Sequence, residues 1–199
     1  MVTLEQPLVV VIAGPNGAGK STTAPRLLQG ALSVEEFVNA DAIAQGLSAF
    51  RAAEMGFAAG RVMLSRIRWL SDARKSFAFE TTLASRSYAR WFATLRDSGY
   101  WVHIVFLALP SPDLAVARVA ERVAAGGHDV LETVIRRRFK AGFINLLTLY
   151  DGVANSWEVL DNSEVNGPRL VARRRAGAEA GTEIIDRVVW TRLVEESAR

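Results

Sequence analysis

A glycine-rich segment near the start of the chain restricts its fold more than any other feature of the sequence. Residues 14–21, GPNGAGKS, match the pattern G-x-x-x-x-G-K-[ST] at every fixed position. They follow an apolar, mostly β-branched run at Leu8–Ala13 and precede a helical pattern from about Lys20 to Gln29. A buried strand, a glycine turn and a helix in this order form the phosphate-binding loop of P-loop NTPases. We therefore predict that this segment binds a nucleotide.

Each residue type in this loop has a physical task in binding phosphate. Glycines let consecutive backbone N–H groups curl around an anion, and the helix N-terminus adds its partial positive charge. We expect Lys20 to reach the β- and γ-phosphates of ATP, and the Ser21 hydroxyl to bind Mg²⁺. The residues predicted to contact the nucleotide are Gly14, Pro15, Asn16, Gly17, Ala18, Gly19, Lys20, Ser21 and Thr22.

Strand and helix patterns alternate along the rest of the chain. Four further strand-like runs are Glu36–Ala40, Phe77–Phe79, Trp101–Leu109 and Trp157–Leu160. The alternation, with the glycine loop after the first strand, predicts an α/β P-loop fold with a parallel five-stranded sheet and helices on both faces. We assign residues 1–165 to one kinase domain with a lid at about 118–140. Residues 166–199 are predicted to form a C-terminal extension packed on the same domain.

Composition narrows the possible classes of function. The chain has no cysteine, which excludes disulfides, thiolate metal sites and thiol catalysis. Its formal net charge is +3, without a basic stripe interleaved with aromatic residues, so we expect no nucleic-acid partner. No apolar stretch approaches the ~20 residues that span a bilayer, and the N-terminus lacks the basic start of a signal peptide. We expect a cytoplasmic protein with no membrane partner.

Two acidic residues follow predicted strands. Ligands of open α/β sheets collect at the carboxyl ends of the strands, which is where Asp41 and Glu80 are expected. We predict that Asp41 accepts the proton of an attacking hydroxyl, although it is alternatively a helix N-cap in the segment NADAI. Glu80 is predicted to bind hydroxyls of the acceptor or to hold water around Mg²⁺.

Arginines are concentrated around a glycine break. Arg118 and Arg122 are one helical turn apart, and residues 126–128, GGH, separate them from a run of three arginines at 136–138. Kinases need cations that close over the phosphates and stabilise charge on the transferring group. We therefore predict that Arg118 and Arg122 act in catalysis from a lid that excludes water. A solvated helix face is the alternative, and we prefer it for Arg136.

Several of these segments together resemble the zeta toxin family of P-loop kinases. The matching pieces are GPNGAGKST (14–22), FVNADAIAQGLS (37–48), FAFETTLASRS (77–87), RVAERVAAGGHDV (118–130), VIRRRF (134–139) and WEVLDNS (157–163). The resemblance implies a nucleotide-kinase-like P-loop NTPase fold. It also implies ATP and Mg²⁺ as cofactors and phosphorylation of a sugar hydroxyl on a UDP-N-acetyl amino sugar. It also implies a small antitoxin protein as a partner.

The resemblance assigns roles by position and exposes one departure. The family's ATP and metal contacts correspond to Lys20 and Ser21, and its general base corresponds to Asp41. Its lid and phosphate contacts correspond to Arg118, Arg122 and Arg137. Glu80 and Thr82 match the acceptor-binding positions of its E-x-T motif. Two residues further on, well-studied toxins carry an acceptor-binding arginine, whereas this chain has Ala84. Arg86 is the nearest arginine, and we predict that it contacts the acceptor instead.

Three functions therefore compete. The leading prediction is an ATP-dependent phosphotransferase acting on a hydroxyl of a nucleotide sugar. Ala84 leaves open a kinase for another small hydroxyl compound, such as an antibiotic or a nucleoside. The third is a nucleotide-binding module without catalysis, which would have no need of a base such as Asp41. No Asn-Lys-x-Asp sequence for reading guanine is present, which argues against a GTPase.

Overall fold

The computed structural model describes residues 6–30, 32–48, 51–127, 129–164, 166–176 and 181–198. Its strands are β1 (Leu8–Ala13), β2 (Phe37–Val38), β3 (Phe77–Thr81), β4 (Trp101–Ala108), β5 (Ser156–Asp161), β6 (Arg169–Arg174) and β7 (Thr182–Ile184). Its α-helices are α1 (Lys20–Gln29), α2 (Ala40–Leu47), α3 (Gly56–Asp72), α4 (Tyr88–Asp97), α5 (Pro112–Ala124), α6 (Glu132–Asn145) and α7 (Arg187–Ala198). His128, in the predicted lid, lies outside the described residues.

The strands form one sheet in the order β2-β3-β1-β4-β5-β6-β7. The first five are parallel, as predicted, and helices cover both faces. The prediction of five strands is wrong in number, because β6 and β7 add two antiparallel strands at one edge. All three residues of β7 are exposed, so this strand carries no apolar pattern that the sequence could reveal.

Strand β1 lies near the middle of the sheet and explains the apolar run before the loop. It pairs with β3 on one side and β4 on the other, and residues 9–13 are fully buried. A parallel strand covered on both faces reads as a continuous apolar run. The strand delivers the glycine loop to the carboxyl edge of the sheet, where β2 and β3 also end.

Two apolar cores flank the sheet. One contains side chains of α3, α4 and α7, including Ile67, Phe92 and Leu193. The other contains side chains of α1 and α5. Helix α6 contributes to both, with Phe143 in the first core and Phe139 in the second. It is therefore fixed by packing on two sides.

Two helical segments are irregular. A 3₁₀ turn at Ala52–Met55 lies between α2 and α3. Helix α6 continues into a π-helical turn at Leu146–Tyr150. In the described residues, no helix is long and apolar enough to span a bilayer.

The residues after 166 join the same sheet. Strand β6 pairs with β5, and α7 packs on α6. Trp190 of α7 stacks on Trp157 of β5, with ring centroids 6.2 Å apart and planes inclined by 2°. The division of the chain at residue 165 stays a prediction.

Candidate active site

The glycine loop has a conformation that side chains would prevent. Gly14, Gly17 and Gly19 have φ angles of 138°, 79° and 75°, in the region that favours glycine. A Cβ atom on Gly14 would lie 2.2 Å from the carbonyl oxygen of Leu107, and one on Gly17 would lie 2.6 Å from that of Ala115. The loop therefore packs tightly against the end of β4 and against α5.

Lys20 is the buried cation of the loop. Its side chain is 6% exposed, and Nζ donates hydrogen bonds to the carbonyl oxygens of Gly14 at 3.0 Å and Pro15 at 2.9 Å. Nζ also lies 3.7 Å from Oε1 of Glu80. Burial lowers the pKa of Lys20, and the charges of Glu80 and Asp41 oppose that shift. The ammonium group is thus held between the loop carbonyl oxygens and the Glu80 carboxylate.

Three polar side chains meet beside the loop. The Ser21 hydroxyl donates to Oε2 of Glu80 at 2.8 Å. Nδ2 of Asn39 donates to the same Oε2 at 2.8 Å and to Oγ of Ser21 at 3.2 Å. The parallel register causes this meeting, because Glu80 lies opposite Ile12 near the end of β1, and β2 runs beside β3.

Asp41 lies in the first turn of α2, close to this cluster. The N-cap of α2 is Asn39, whose Oδ1 accepts from the backbone N–H of Asp41 at 2.7 Å and of Ala42 at 3.2 Å. The alternative that Asp41 is itself the N-cap is therefore wrong. Its carboxylate is exposed, and its charge acts on both Lys20 and Arg138.

The two predicted lid arginines of α5 have different surroundings. Arg118 donates from Nη1 to the carbonyl oxygen of Asn162 at 2.7 Å and from Nη2 to that of Ser163 at 2.6 Å. It thereby ties α5 to the segment after β5. The positive charge of Arg122 acts on Lys20 and lowers its pKa.

Helix α6 presents its three arginines in three directions. Arg138 is partly buried, and its Nη1 donates to Oδ1 of Asn16 in the loop at 3.4 Å. Burial lowers the pKa of Arg138, the charge of Arg137 acts in the same direction, and that of Asp41 opposes it. Arg137 is exposed, and Arg136 forms ion pairs of 2.7 Å with one carboxylate of α5 and one of α6.

The segment 82–87, predicted to bind the acceptor, is held through its backbone. Nδ2 of Asn145 donates to the carbonyl oxygens of two of its residues, at 3.0 Å each. The hydroxyl of Tyr150 donates to a third carbonyl, that of Ser85. Thr82 is half-buried and Arg86 is exposed. Helix α6 and its π-helical turn therefore fix the backbone beside Glu80.

Asn39 and Arg138 are residues of the site that were not predicted from the sequence. Asn39 follows a strand and precedes Asp41 by two residues, which is a usable signal for an N-cap. Arg138 lies three residues after buried Ile135, on the flank of the buried face, whereas Arg137 points to solvent. The helical period of α6 therefore contained the information that separates the two arginines.

Comparison with known proteins shows which family has this sequence and fold. The sequence profile described as Zeta toxin matches residues 1–169. The chain belongs to the zeta toxin family. A Haemophilus influenzae protein described as an uncharacterized protein is 25% identical to this family member over 130 residues. These residues make up 65% of the present chain and 91% of the relative.

Solved structures with the same fold extend the comparison. AvrRxo1-ORF1 in its complex with ORF2 and ATP has a TM-score of 0.74 at 14% identity; the alignment covers 94% of this zeta toxin family chain but only 63% of that one. The PezAT toxin–antitoxin system of Streptococcus pneumoniae has a TM-score of 0.63 at 14% identity, with 98% and 89% covered. A gluconokinase from Sinorhizobium meliloti has a TM-score of 0.53 at 16% identity, with 97% and 95% covered. Identities this low show a shared P-loop kinase fold alone.

Proposed function

We propose that this protein transfers the γ-phosphoryl group of ATP to a hydroxyl of a UDP-N-acetyl amino sugar. The observation that carries the proposal is the meeting of a phosphate-binding loop with two carboxylates at one edge of the sheet. Lys20 lies 3.7 Å from Glu80, Ser21 donates to Glu80, and Asp41 acts electrostatically on Lys20. Membership of the zeta toxin family supports phosphoryl transfer and the nucleotide-sugar acceptor.

The nucleotide side of the site is assigned to the loop and to arginines. The loop N–H groups bind the phosphates, and Lys20 exchanges its contacts with the loop carbonyls for the β- and γ-phosphates. Arg122 and Arg138 add positive charge, with Arg118 and Arg137 as the remaining cations of the proposed lid at 118–140. Such charges stabilise the transferring group because they are in position before the reaction begins.

The oxygen atoms beside the loop fit a magnesium ion. Mg²⁺ prefers hard oxygen ligands and is commonly held by one or two protein oxygens together with substrate phosphates. The Ser21 hydroxyl and the Glu80 carboxylate offer such oxygens, 2.8 Å apart. A bound Mg²⁺ would supply charge neutralisation at the phosphates. Ser21 is the proposed ligand, with Glu80 orienting it.

The acceptor side is assigned to Asp41 and the segment after β3. Asp41 accepts the proton of the attacking hydroxyl as the bond from the acceptor oxygen to phosphorus forms and the bond to ADP breaks. Glu80, Thr82 and Arg86 bind the acceptor. The reaction takes place in the cytoplasm, and a small antitoxin is the proposed partner. Relatives of this fold were solved as the AvrRxo1-ORF1:ORF2 complex and in work on the PezAT toxin–antitoxin system, which supports the partner.

A second candidate acceptor follows from one position. Ala84 replaces the arginine that zeta toxins use for the acceptor, and its carbonyl oxygen is already engaged by Asn145. A small hydroxyl compound without the anionic diphosphate of a nucleotide sugar has less need of that arginine. A kinase for such a compound is therefore the alternative acceptor assignment.

The proposal is tested by measuring ADP release from Mg-ATP with and without UDP-N-acetylglucosamine, followed by mass spectrometry of the acceptor. We expect a phosphorylated nucleotide sugar from the native protein and none from Lys20→Ala or Asp41→Asn. Lys75→Ala and Asp97→Asn are matched controls at exposed positions and should retain activity. A phosphorylated acceptor of another class would support the second candidate. ATP binding without transfer to any hydroxyl acceptor would contradict both and leave a nucleotide-binding module.

A further inference from the structure

We infer that Asn39 is a positioning residue that joins the P-loop serine, the β3 carboxylate and the helix of the proposed base into one hydrogen-bonded unit. The inference rests on the proposed function, since it assigns a role within the same site. No motif of the sequence singled this residue out, and its role follows from its four contacts.

All the hydrogen-bonding capacity of the Asn39 amide is used. Its two Nδ2 protons are donated to Glu80 at 2.8 Å and Ser21 at 3.2 Å. Its Oδ1 accepts from the backbone N–H groups of Asp41 at 2.7 Å and Ala42 at 3.2 Å. The reversed amide would point two donors at two backbone donors, so only one orientation satisfies the site. The side chain therefore has a single arrangement.

The first consequence concerns the hydroxyl of Ser21. A serine hydroxyl has one proton and two lone pairs. The proton is donated to Glu80, and one lone pair accepts from Asn39. A single lone pair remains for a cation, in a direction that the other two bonds determine. Asn39 thus orients the proposed metal ligand before nucleotide arrives.

The second consequence concerns the position of Asp41. Helix α2 has eight residues, and β2, which delivers it, has two. Helices this short are marginal without external anchors. Asn39 provides the anchor, because the oxygen that caps α2 belongs to the same amide that donates to Glu80. The backbone of Asp41 is therefore held at a fixed position relative to the Glu80 carboxylate.

Capping alone does not account for this residue. Serine and aspartate cap helices as well as asparagine does. They lack the pair of amide protons that Glu80 and Ser21 accept. Asn39→Ser is therefore the informative variant, because it keeps a capping oxygen while losing the two-donor contact. Asn39→Asp is a second variant that keeps the size and the capping oxygen.

Two readouts separate positioning from capping. The first is the affinity of the protein for a fluorescent ATP analogue, measured once with Mg²⁺ and once with EDTA. The ratio of the two affinities is the Mg²⁺-dependent gain. The second is the separate measurement of kcat and of KM with the acceptor that the native protein phosphorylates. Asp186→Ala is the matched control, since Asp186 accepts from the N–H of Val189 at the start of α7, which carries none of the proposed site residues.

We expect Asn39→Ser to reduce the Mg²⁺-dependent gain at least ~5-fold and kcat at least ~10-fold, as misplaced reacting groups do. Its affinity for the analogue without Mg²⁺, its KM for the acceptor and its melting temperature should resemble those of Asp186→Ala. Asn39→Asp should also fail to recover the gain, because its carboxylate faces that of Glu80.

A folded Asn39→Ser protein whose Mg²⁺-dependent gain and kcat stay within ~2-fold of native would overturn the inference and leave Asn39 as a cap. Native protein that transfers phosphate to no acceptor would instead refute the proposed function. In that case, the Mg²⁺-dependent gain still decides the role of Asn39.

Discussion

Among the glycines of the phosphate-binding loop, Gly14 lies closest to a neighbouring backbone atom, so Gly14→Ala is a severe substitution. Its new Cβ would lie 2.2 Å from the carbonyl oxygen of Leu107, whereas ordinary contacts begin at 3.4 Å. The loop and the end of β4 must therefore separate by about 1 Å. Overpacking of this kind costs about 1–3 kcal/mol, and a backbone conformation that suits only glycine adds about 1–3 kcal/mol.

These terms predict a loss of about 2–6 kcal/mol in the free energy of unfolding. For a chain of this length the melting temperature falls about 2–4 °C per kcal/mol, so we expect a drop of about 4–24 °C. The shifted carbonyl oxygen of Gly14 is also a partner of Lys20. We therefore expect the affinity for ATP to fall at least ~10-fold.

Thermal unfolding followed by circular dichroism and titration with a fluorescent ATP analogue measure both effects. Gly60→Ala is the matched control, because it lies inside α3, where a new Cβ atom would meet nothing within 4 Å. That change should raise stability by about 0.5–1 kcal/mol through helix propensity. Gly14→Ala protein that melts at the native temperature with native ATP affinity would show that the loop accepts a side chain at this position.

Three further predictions test other parts of the molecule. Arg138→Met should weaken ATP binding at least ~5-fold, and by more than Arg137→Met does, because Arg138 donates to Asn16 of the loop; equal losses in titrations would contradict this. Burial lowers the pKa of His103 below 6.5, so the unfolded chain binds more protons just below that pH. The free energy of unfolding should therefore fall as pH decreases from 6.5, and His103→Gln should flatten this dependence in denaturant titrations. Trp190→Ala removes the stacking on Trp157 and, since Trp190 is partly buried, should lower stability by about 1–3 kcal/mol in the same assay, whereas an unchanged midpoint would show that α7 contributes little.

The parts of the fold that sequence could predict are those with a strong local signal. Residues 9–13 are buried on both faces, so an uninterrupted apolar run reveals β1. The glycines of the loop are required by φ angles and by close carbonyl oxygens, so they mark the loop in any context. Strand β7 has neither signal, because its three residues are exposed at an edge.

The residues of the candidate site also fall into those that the sequence predicts and those that it does not. Lys20 and Ser21 are fixed by a motif, and Glu80 and Asp41 by the ends of two strands. Asn39 needs the register of β2 against β3, because its contact with Glu80 joins residues 41 positions apart. Arg138 needs the contact with Asn16 across 122 positions. Contacts between distant segments depend on how the elements pack, which a local pattern does not contain.

The way in which segment 82–87 is attached has a consequence for divergence among relatives. Asn145 and Tyr150 hold it by carbonyl oxygens, which every residue type provides. Exchanging the side chain at Ala84 or Arg86 leaves those bonds in place. With this segment at the acceptor, as proposed, new acceptor preferences can evolve there by single substitutions, while the glycine loop and the sheet beneath it remain unchanged.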